Sequence, residues 1–334
     1  QVVQWGVGLC SLVVLIDYGR REMPVAWAVL GGALFYSYSD VIVLSGRGSP
    51  DLANAFFMIL ALLAWLQWLD TGSGRWLGLA GLFAGLFAAG SRLPGAYGAM
   101  ALVLLVVIYG RTRFRWPVRS AIVRGLAVGF LAFLIVSPWY GKSYLQTGNP
   151  FWPFFMPLLG ARDWSMAMYE YVNSVQVREV GDWLTLERAL TAPWDLTMTP
   201  NRFNSGVVGP LLLATLPLAL LVRLPRRLRW ILSACSVLGF FWYISFPRLR
   251  ALIPALGLLS VVTAYLIFHV LREEKFPPWV RISVVGAIVS WLIIGFGTSV
   301  RFHLQAVSVT LGIQEETAYL SRRFREPDLR FFWY

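Results

Sequence analysis

The sequence predicts an all-α protein, a polytopic bundle of about ten transmembrane helices with an extracytoplasmic loop region. Of its 334 residues, 57% are hydrophobic and only 14% are charged, whereas an ordinary soluble domain carries roughly 25% charged residues. The charged residues form short clusters between long apolar runs. A net charge of +12 would suggest a nucleic-acid partner for a soluble chain. Here the clustering indicates a lipid bilayer as the partner and argues against nucleic acid.

Ten runs that lack Asp, Glu, Lys and Arg predict the individual helices, because a membrane-crossing helix needs about 20 largely apolar residues. Several runs are rich in Gly or bounded by Pro, which transmembrane helices tolerate. Gly81 and Gly85 lie four residues apart and predict a face for close helix packing. The runs are 2–16, 23–39, 52–69, 76–91, 93–110, 125–141, 203–222, 230–247, 251–271 and 282–300.

The basic residues between the runs predict the orientation, since cytoplasmic loops are enriched in Lys and Arg. One set of alternate loops carries fifteen basic residues and is therefore assigned to the cytoplasm. The opposite short loops carry four, which are Arg47, Arg92, Arg248 and Arg250. The first set comprises Arg20, Arg21, Arg75, Arg111, Arg113, Arg115, Arg119, Arg124, Arg223, Arg226, Arg227, Arg229, Arg272, Lys275 and Arg281.

Four segments follow from this pattern. Residues 1–141 are expected to form the N-terminal part of the membrane module, and 203–300 its C-terminal helices. Residues 142–202 form an extracytoplasmic loop whose aromatic content argues against disorder, so that short helices on the outer face are expected. Residues 301–334 are expected to be an extracytoplasmic tail that is cut short.

The short outer loop around Arg47 is the first candidate site, because no ionisable residue lies in the middle of any run. Asp40 and Asp51 flank Arg47, an arrangement that suits a phosphate or hydroxyl substrate. Ser49, Pro50 and Asp51 are equally typical of a helix start. The two interpretations are compatible.

Three further arginines lie on the same outer side. Arg92 occupies a tight turn before Pro94, where it could contact a phosphate or simply anchor the helix end in the interface. Arg248 and Arg250 lie between two runs on the side that the charge rule disfavours. Binding of a lipid phosphate would explain them. No metal-ligand spacing, P-loop or nucleophile motif is present, so no cofactor is predicted with certainty and a need for a divalent metal stays open.

The order of several segments resembles the GT-C superfamily of polyprenyl-phosphate-dependent membrane glycosyltransferases. The resemblance covers nearly the whole chain and is closest to the branch of protein O-mannosyltransferases, aminoarabinose transferases and Rhizobium core glycosyltransferases. Its most specific pieces are TGNPFWP (147–153), similar to a GNPxxP loop, and RLRALIPAL (248–256), similar to an Arg-Tyr-Leu-Leu-Pro-Ala-type segment. The sequence departs from that pattern at Arg92, where the family often has Lys, and at Leu249, where it often has an aromatic residue.

The resemblance implies an inverting glycosyltransferase of the bacterial cytoplasmic (inner) membrane, active on its extracytoplasmic face. The donor would be a polyprenyl-phosphate sugar, and the acceptor a hydroxyl of a lipid, glycan or protein. The main catalytic carboxylate is expected in an outer loop before Gln1, so the fragment alone is expected to be inactive. The site residues are then Asp51 and Asp40 as carboxylates; Arg248, Arg250, Arg92, Arg47 and Lys142 toward the donor phosphate; and Tyr140, Asn149 and Trp152 toward the acceptor.

Two other functional classes stay open at this point. A transporter or flippase of lipid-linked sugars would show internal repeats and polar residues at mid-membrane, neither of which is evident. A non-catalytic membrane scaffold is the third interpretation.

Overall fold

The computed structural model describes most of the chain in helical form. The described residues are 2–46, 49–91, 95–162, 164–171, 174, 184–199, 202–203, 208–245, 247–272 and 277–315. Within these ranges there is no β-strand, which confirms the predicted all-α class.

Thirteen α-helices are numbered here in chain order within that part of the chain. They are α1 Val2–Gly19, α2 Val25–Tyr36, α3 Ser39–Ser45, α4 Asp51–Thr71, α5 Gly74–Ser91, α6 Ala96–Thr112, α7 Val118–Thr147, α8 Met156–Leu159, α9 Leu186–Met198, α10 Pro210–Thr215 with the 3-10 segment Leu216–Leu220, α11 Arg226–Ser245, α12 Leu249–Arg272 and α13 Pro278–Thr310.

Six of these helices are long and apolar enough to cross a membrane, namely α1, α4, α7, α11, α12 and α13. The bent pair α2–α3 raises the number to seven. The other apolar helices, Gly74–Gly90, Ala96–Thr112 and Pro210–Leu220, are shorter. A multi-pass membrane protein is therefore supported, whereas the predicted count of ten spans is not confirmed.

Two predicted segment boundaries fall inside helices. Helix α7 continues past residue 141 to Thr147, so the first turn and a half of the predicted loop belongs to a helix. Helix α13 likewise continues past residue 300 to Thr310. Of the expected short helices in 142–202, the structure describes α8, α9 and a helical stretch at 166–171.

Helix α12 forms the centre of the bundle. In the apolar stretch of α12, 83% of the residues are buried within the protein. The buried share is 67% in α4 but only 11% in α13. Large side chains such as Phe130 and Phe296 are well exposed on α7 and α13. Exposed apolar surface on this scale marks an interface with lipid or protein, which agrees with a bundle whose outer helices face lipid.

Glycines allow close contact between α5 and α7. Gly85 of α5 packs against Ala132 and Ile135 of α7, and Gly81 faces Val128 one turn away. The two glycines that predicted a close-packing face thus lie at a helix interface.

Helices α2 and α3 meet at an angle of 76°. The Ser37 hydroxyl donates to the Leu34 carbonyl and accepts from the indole N–H of Trp291 on α13 at 2.9 Å. Ser260 of α12 donates to the Tyr38 hydroxyl at 3.2 Å. The break is thus held in place by two neighbouring helices.

Polar contacts join the helices at both ends of the bundle. At the Arg227 end, Arg227 contacts Asp70 at 2.7 Å and Glu22 at 3.2 Å, and so ties α11 to α4 and to the α1–α2 turn. At the Asp51 end, where α4 and α12 begin, Asp51 pairs with Arg250. The candidate site residues that the structure describes lie toward the second end.

Candidate functional site

The Asp51–Arg250 ion pair is the centre of the site. Asp51 is the first residue of α4, where a negative charge is favoured by the helix dipole. Its carboxylate accepts a hydrogen bond from the Ser49 hydroxyl. The Arg250 Nη1 lies 3.5 Å from the same carboxylate oxygen.

Asp51 begins a helix, as one sequence interpretation expected, whereas Arg47, the guanidinium of the other interpretation, lies outside the described residues. The residue begins a helix behind Pro50, and its side chain also faces a guanidinium. The side chain of Arg250 is 45% exposed, and among the described residues Asp51 is its only ion-pair partner. Since a guanidinium has five N–H donors, Arg250 retains donors for an anionic ligand.

The beginning of α12 is fixed from three sides. The Tyr97 hydroxyl donates to the Ala251 carbonyl. The indole of Trp242 donates to the Arg248 carbonyl at 2.8 Å, and the Leu249 amide donates to the Phe203 carbonyl at 3.2 Å. The two arginines therefore extend from a backbone that α6, α11 and the 202–203 segment hold in place.

An apolar cleft of about 320 Å³ lies along α12. Leu252 on its wall lies one helical turn after Arg248, and the wall continues along α12 through Leu256 and Leu259. Helices α9 and α10 supply the opposite side, including Leu196 and Leu212. A half-buried basic residue thus lies one helical turn before the wall of an apolar cleft, an arrangement that fits an amphiphile with an anionic head.

A buried carboxylate beside this cleft was not predicted as a site residue. The side chain of Asp195 is 8% exposed and lies 2.7 Å from Arg202. It also accepts from the Thr191 hydroxyl at 3.0 Å. Asp195 and Arg202 are two of several charged residues in the 142–202 segment. The signal that could have distinguished Asp195 is the amphipathic pattern of α9, which places it on the face with Ala192.

Asn54 lies one turn below Asp51 on α4 and is 6% exposed. Its amide covers Gly90 of α5 so closely that the glycine has no room for a side chain. Within the described part of the chain, the structure gives this amide no hydrogen-bond partner. Asn54 thus controls how closely α4 and α5 approach near the site.

The predicted acceptor residues form a separate group at the end of α7. Asn149 is fully buried, and its amide donates to the carbonyls of Phe154 and Gly160 and accepts from the Phe151 amide. Asn149 therefore organises the turn. Tyr140 and Trp152 lie beside a cleft together with Lys142. Among the described residues no contact joins Lys142 to Asp51 or Arg250.

The remaining predicted residues are placed as follows. Asp40 lies in the first turn of α3 and is half-buried. Arg47 and Arg92 lie outside the described residues. The described ranges contain no group of three or more His, Cys, Asp or Glu side chains that could hold a metal ion.

Comparison with known proteins does not assign the chain. No protein-family model and no curated protein matches it.

Proposed function

We propose that the protein is a membrane glycosyltransferase that moves a sugar from a polyprenyl-phosphate donor to a hydroxyl of a lipid, glycan or protein. The observation that carries the proposal is that α12 carries the half-exposed Arg250, held by Asp51, in its first turn and forms the wall of an apolar cleft from Leu252 to Leu259. A guanidinium suits a phosphate, and an apolar cleft suits an isoprenoid chain. The resemblance to the GT-C superfamily supports the same donor class.

The distribution of basic residues supports an orientation of the protein in the membrane. The fifteen basic residues that predict the cytoplasmic side include Arg226 and Arg227 at the opposite end of the bundle from Asp51. We therefore place the Asp51 end on the extracytoplasmic face of the bacterial cytoplasmic membrane, with the short apolar helices completing ten crossings. Residues 148–202 then lie outside.

The transfer step is a substitution at the anomeric carbon. The bond between that carbon and the phosphate oxygen breaks, and a bond to the acceptor oxygen forms, which inverts the centre. Negative charge grows on the departing phosphate, and a guanidinium aimed at it stabilises the transition state more than the ground state. The acceptor hydroxyl gives its proton to a carboxylate, for which Asp51 is the candidate in this site.

The membrane would orient the donor relative to the acceptor. A donor tail in the cleft along α12 would fix the phosphate near Arg248 and Arg250. A pre-oriented donor converts the encounter with the acceptor into an effectively intramolecular step.

One observation favours the runner-up, a transporter or flippase of lipid-linked sugars. Discontinuous helices line the substrate sites of many transporters, and α2–α3 is a helix pair broken by 76°. Ser37 and Tyr38 at this break are, however, bound to side chains of α13 and α12, which favours a fixed structural bend.

A reconstitution experiment distinguishes the two functions. The full-length protein is placed in vesicles with a polyprenyl-phosphate hexose, and both sugar transfer to added acceptors and movement of the lipid between leaflets are measured. Transfer that needs Arg250 supports the glycosyltransferase. Lipid movement without transfer supports the flippase and contradicts the proposal.

A further inference from the structure

A second cleft, of about 170 Å³, lies between the end of α7 and the turn that follows it. Trp139, Lys142 and Gln146 line it from the helix, where their spacing of three and four residues places them on one face. Pro150 and Trp152 line it from the turn. This cleft differs in kind from the one along α12, because polar and aromatic groups alternate on its wall.

The wall of this cleft is preformed. The Ser143 hydroxyl donates to the Asn149 carbonyl at 2.9 Å, and the Thr147 hydroxyl donates to the same carbonyl at 3.1 Å. The fully buried Asn149 amide closes the turn from inside. A ligand would therefore meet a fixed turn on one side and a helix on the other, without ordering either.

Exposed groups with unused hydrogen-bonding capacity line the helix side. Trp139 is 49% exposed, and the Lys142 ammonium lies 5.4 Å from the centre of its ring. Lys142 and Gln146 are both exposed. As far as the described residues go, neither the ammonium nor the Gln146 amide has a hydrogen-bond or ion-pair partner in the protein. The long Lys142 stem lets its ammonium move from the ring to a ligand.

A sugar ring matches this set of groups. A pyranose presents C–H bonds on its faces and hydroxyls around its edge, so an aromatic ring can cover a face while Lys and Gln meet the hydroxyls. The cleft has a volume of about 170 Å³, which suits one sugar ring.

We propose that this cleft binds one saccharide unit of a glycan acceptor. The assignment rests on the proposed function and narrows its acceptor from lipid, glycan or protein to a glycan. The donor phosphate is assigned to Arg248 and Arg250. Since no contact among the described residues joins those arginines to Lys142, the donor site and this cleft are separate. The other interpretation, in which Trp139 and Lys142 only anchor α7 at the membrane interface, is an outcome of the test.

The test measures sugar binding without any donor. Methyl glucoside, methyl galactoside and methyl mannoside are added to the full-length protein in nanodiscs, and magnetisation transfer from protein to sugar is recorded by saturation-transfer-difference NMR. We expect at least one glycoside to bind. Replacing Trp139 by Ala should weaken that binding by roughly tenfold, as for the loss of an aromatic anchor, and Trp139→Phe should retain part of it. Gln146→Ala should also weaken it.

Trp279→Ala is the matched control, because Trp279 is 69% exposed and lies near the opposite end of the bundle on α13. It should leave binding unchanged. If no glycoside binds the wild type, or if Trp139→Ala binds as well as Trp279→Ala does, the saccharide assignment is wrong and the interfacial anchor stands.

Failure of this inference and failure of the proposed function can be told apart. Transfer activity with no glycoside binding would show that the cleft is not a saccharide site, and the glycosyltransferase proposal would still stand. Glycoside binding that Trp139→Ala abolishes, in a protein that transfers no sugar from any polyprenyl-phosphate donor, would leave the cleft as a saccharide site and overturn the enzyme.

Discussion

The Tyr97 hydroxyl donates a hydrogen bond to the Ala251 carbonyl, and so joins the beginning of α6 to the beginning of α12. Tyr97 is 3% exposed. Ala251 directly follows Arg250 in the chain, so this hydrogen bond helps to fix the backbone from which Arg250 extends.

Tyr97→Phe should lower the free energy of unfolding by about 1–2 kcal/mol, because a buried carbonyl loses its donor. The measurement is unfolding of the purified protein by denaturant in detergent. Tyr144→Phe is the control, since Tyr144 is 57% exposed and should change stability little. Equal stability of both variants would show that the bond does not hold α12.

Gly85→Ala should destabilise the contact between α5 and α7. An added Cβ would lie 2.6 Å from the Ile135 Cβ and 2.8 Å from the Ala132 carbonyl oxygen, and overpacking of this kind costs about 1–3 kcal/mol. Gly78→Ala on the same helix meets nothing within 4 Å, and should be neutral or slightly stabilising because Ala favours a helix. A drop in melting temperature for both variants alike would contradict the packing account.

Arg227→Ala should destabilise the opposite end, because it leaves Glu22 without its cation and Asp70 with only a 3.9 Å contact to Arg226. Both acidic side chains are mostly buried, whereas Arg227 is 33% exposed, so solvent screening should limit the loss to roughly 1–3 kcal/mol. Arg227→Lys should restore only part of it, since Lys lacks the fork that reaches both carboxylates. The control is the exposed Arg229→Ala, and a double-mutant cycle with Asp70→Asn measures the coupling.

Leu213→Trp should fill the apolar cleft along α12, whose wall includes this half-buried leucine. The proposed donor tail would then be excluded, so the KM for a long-chain polyprenyl-phosphate sugar should rise several-fold while that for a short-chain analogue should change less. Leu220→Trp is the matched control, because Leu220 is 89% exposed and lies outside the cleft. Equal effects on both chain lengths would argue against a tail site.

The helices were predictable from the sequence because the apolar runs are a local signal. The break between Tyr36 and Ser39 was not, since the run 23–39 looks continuous and the bend depends on Trp291 and Ser260 far along the chain. The Arg227 network likewise joins residues that no local pattern relates.

The site was predictable only as a set of separate residues. Asp51 and Arg250 were each named for their position at an outer helix end, but they lie about 200 positions apart in the sequence and their pairing depends on how α4 and α12 pack. Asp195 was missed because the amphipathic pattern of α9, which places it on the face with Ala192, was not used. Arg47 and Arg92, which lie outside the described residues, stay predictions.

The most direct test is turnover of sugar transfer by Arg250→Ala in the full-length protein, at saturating polyprenyl-phosphate donor. If the Arg250 guanidinium stabilises the departing phosphate, turnover should fall by about 10²–10³-fold, Arg250→Lys should fall less, and Arg229→Ala at the opposite end should match the wild type. Turnover and donor affinity that survive Arg250→Ala unchanged would contradict the assignment of Arg250 to the donor phosphate.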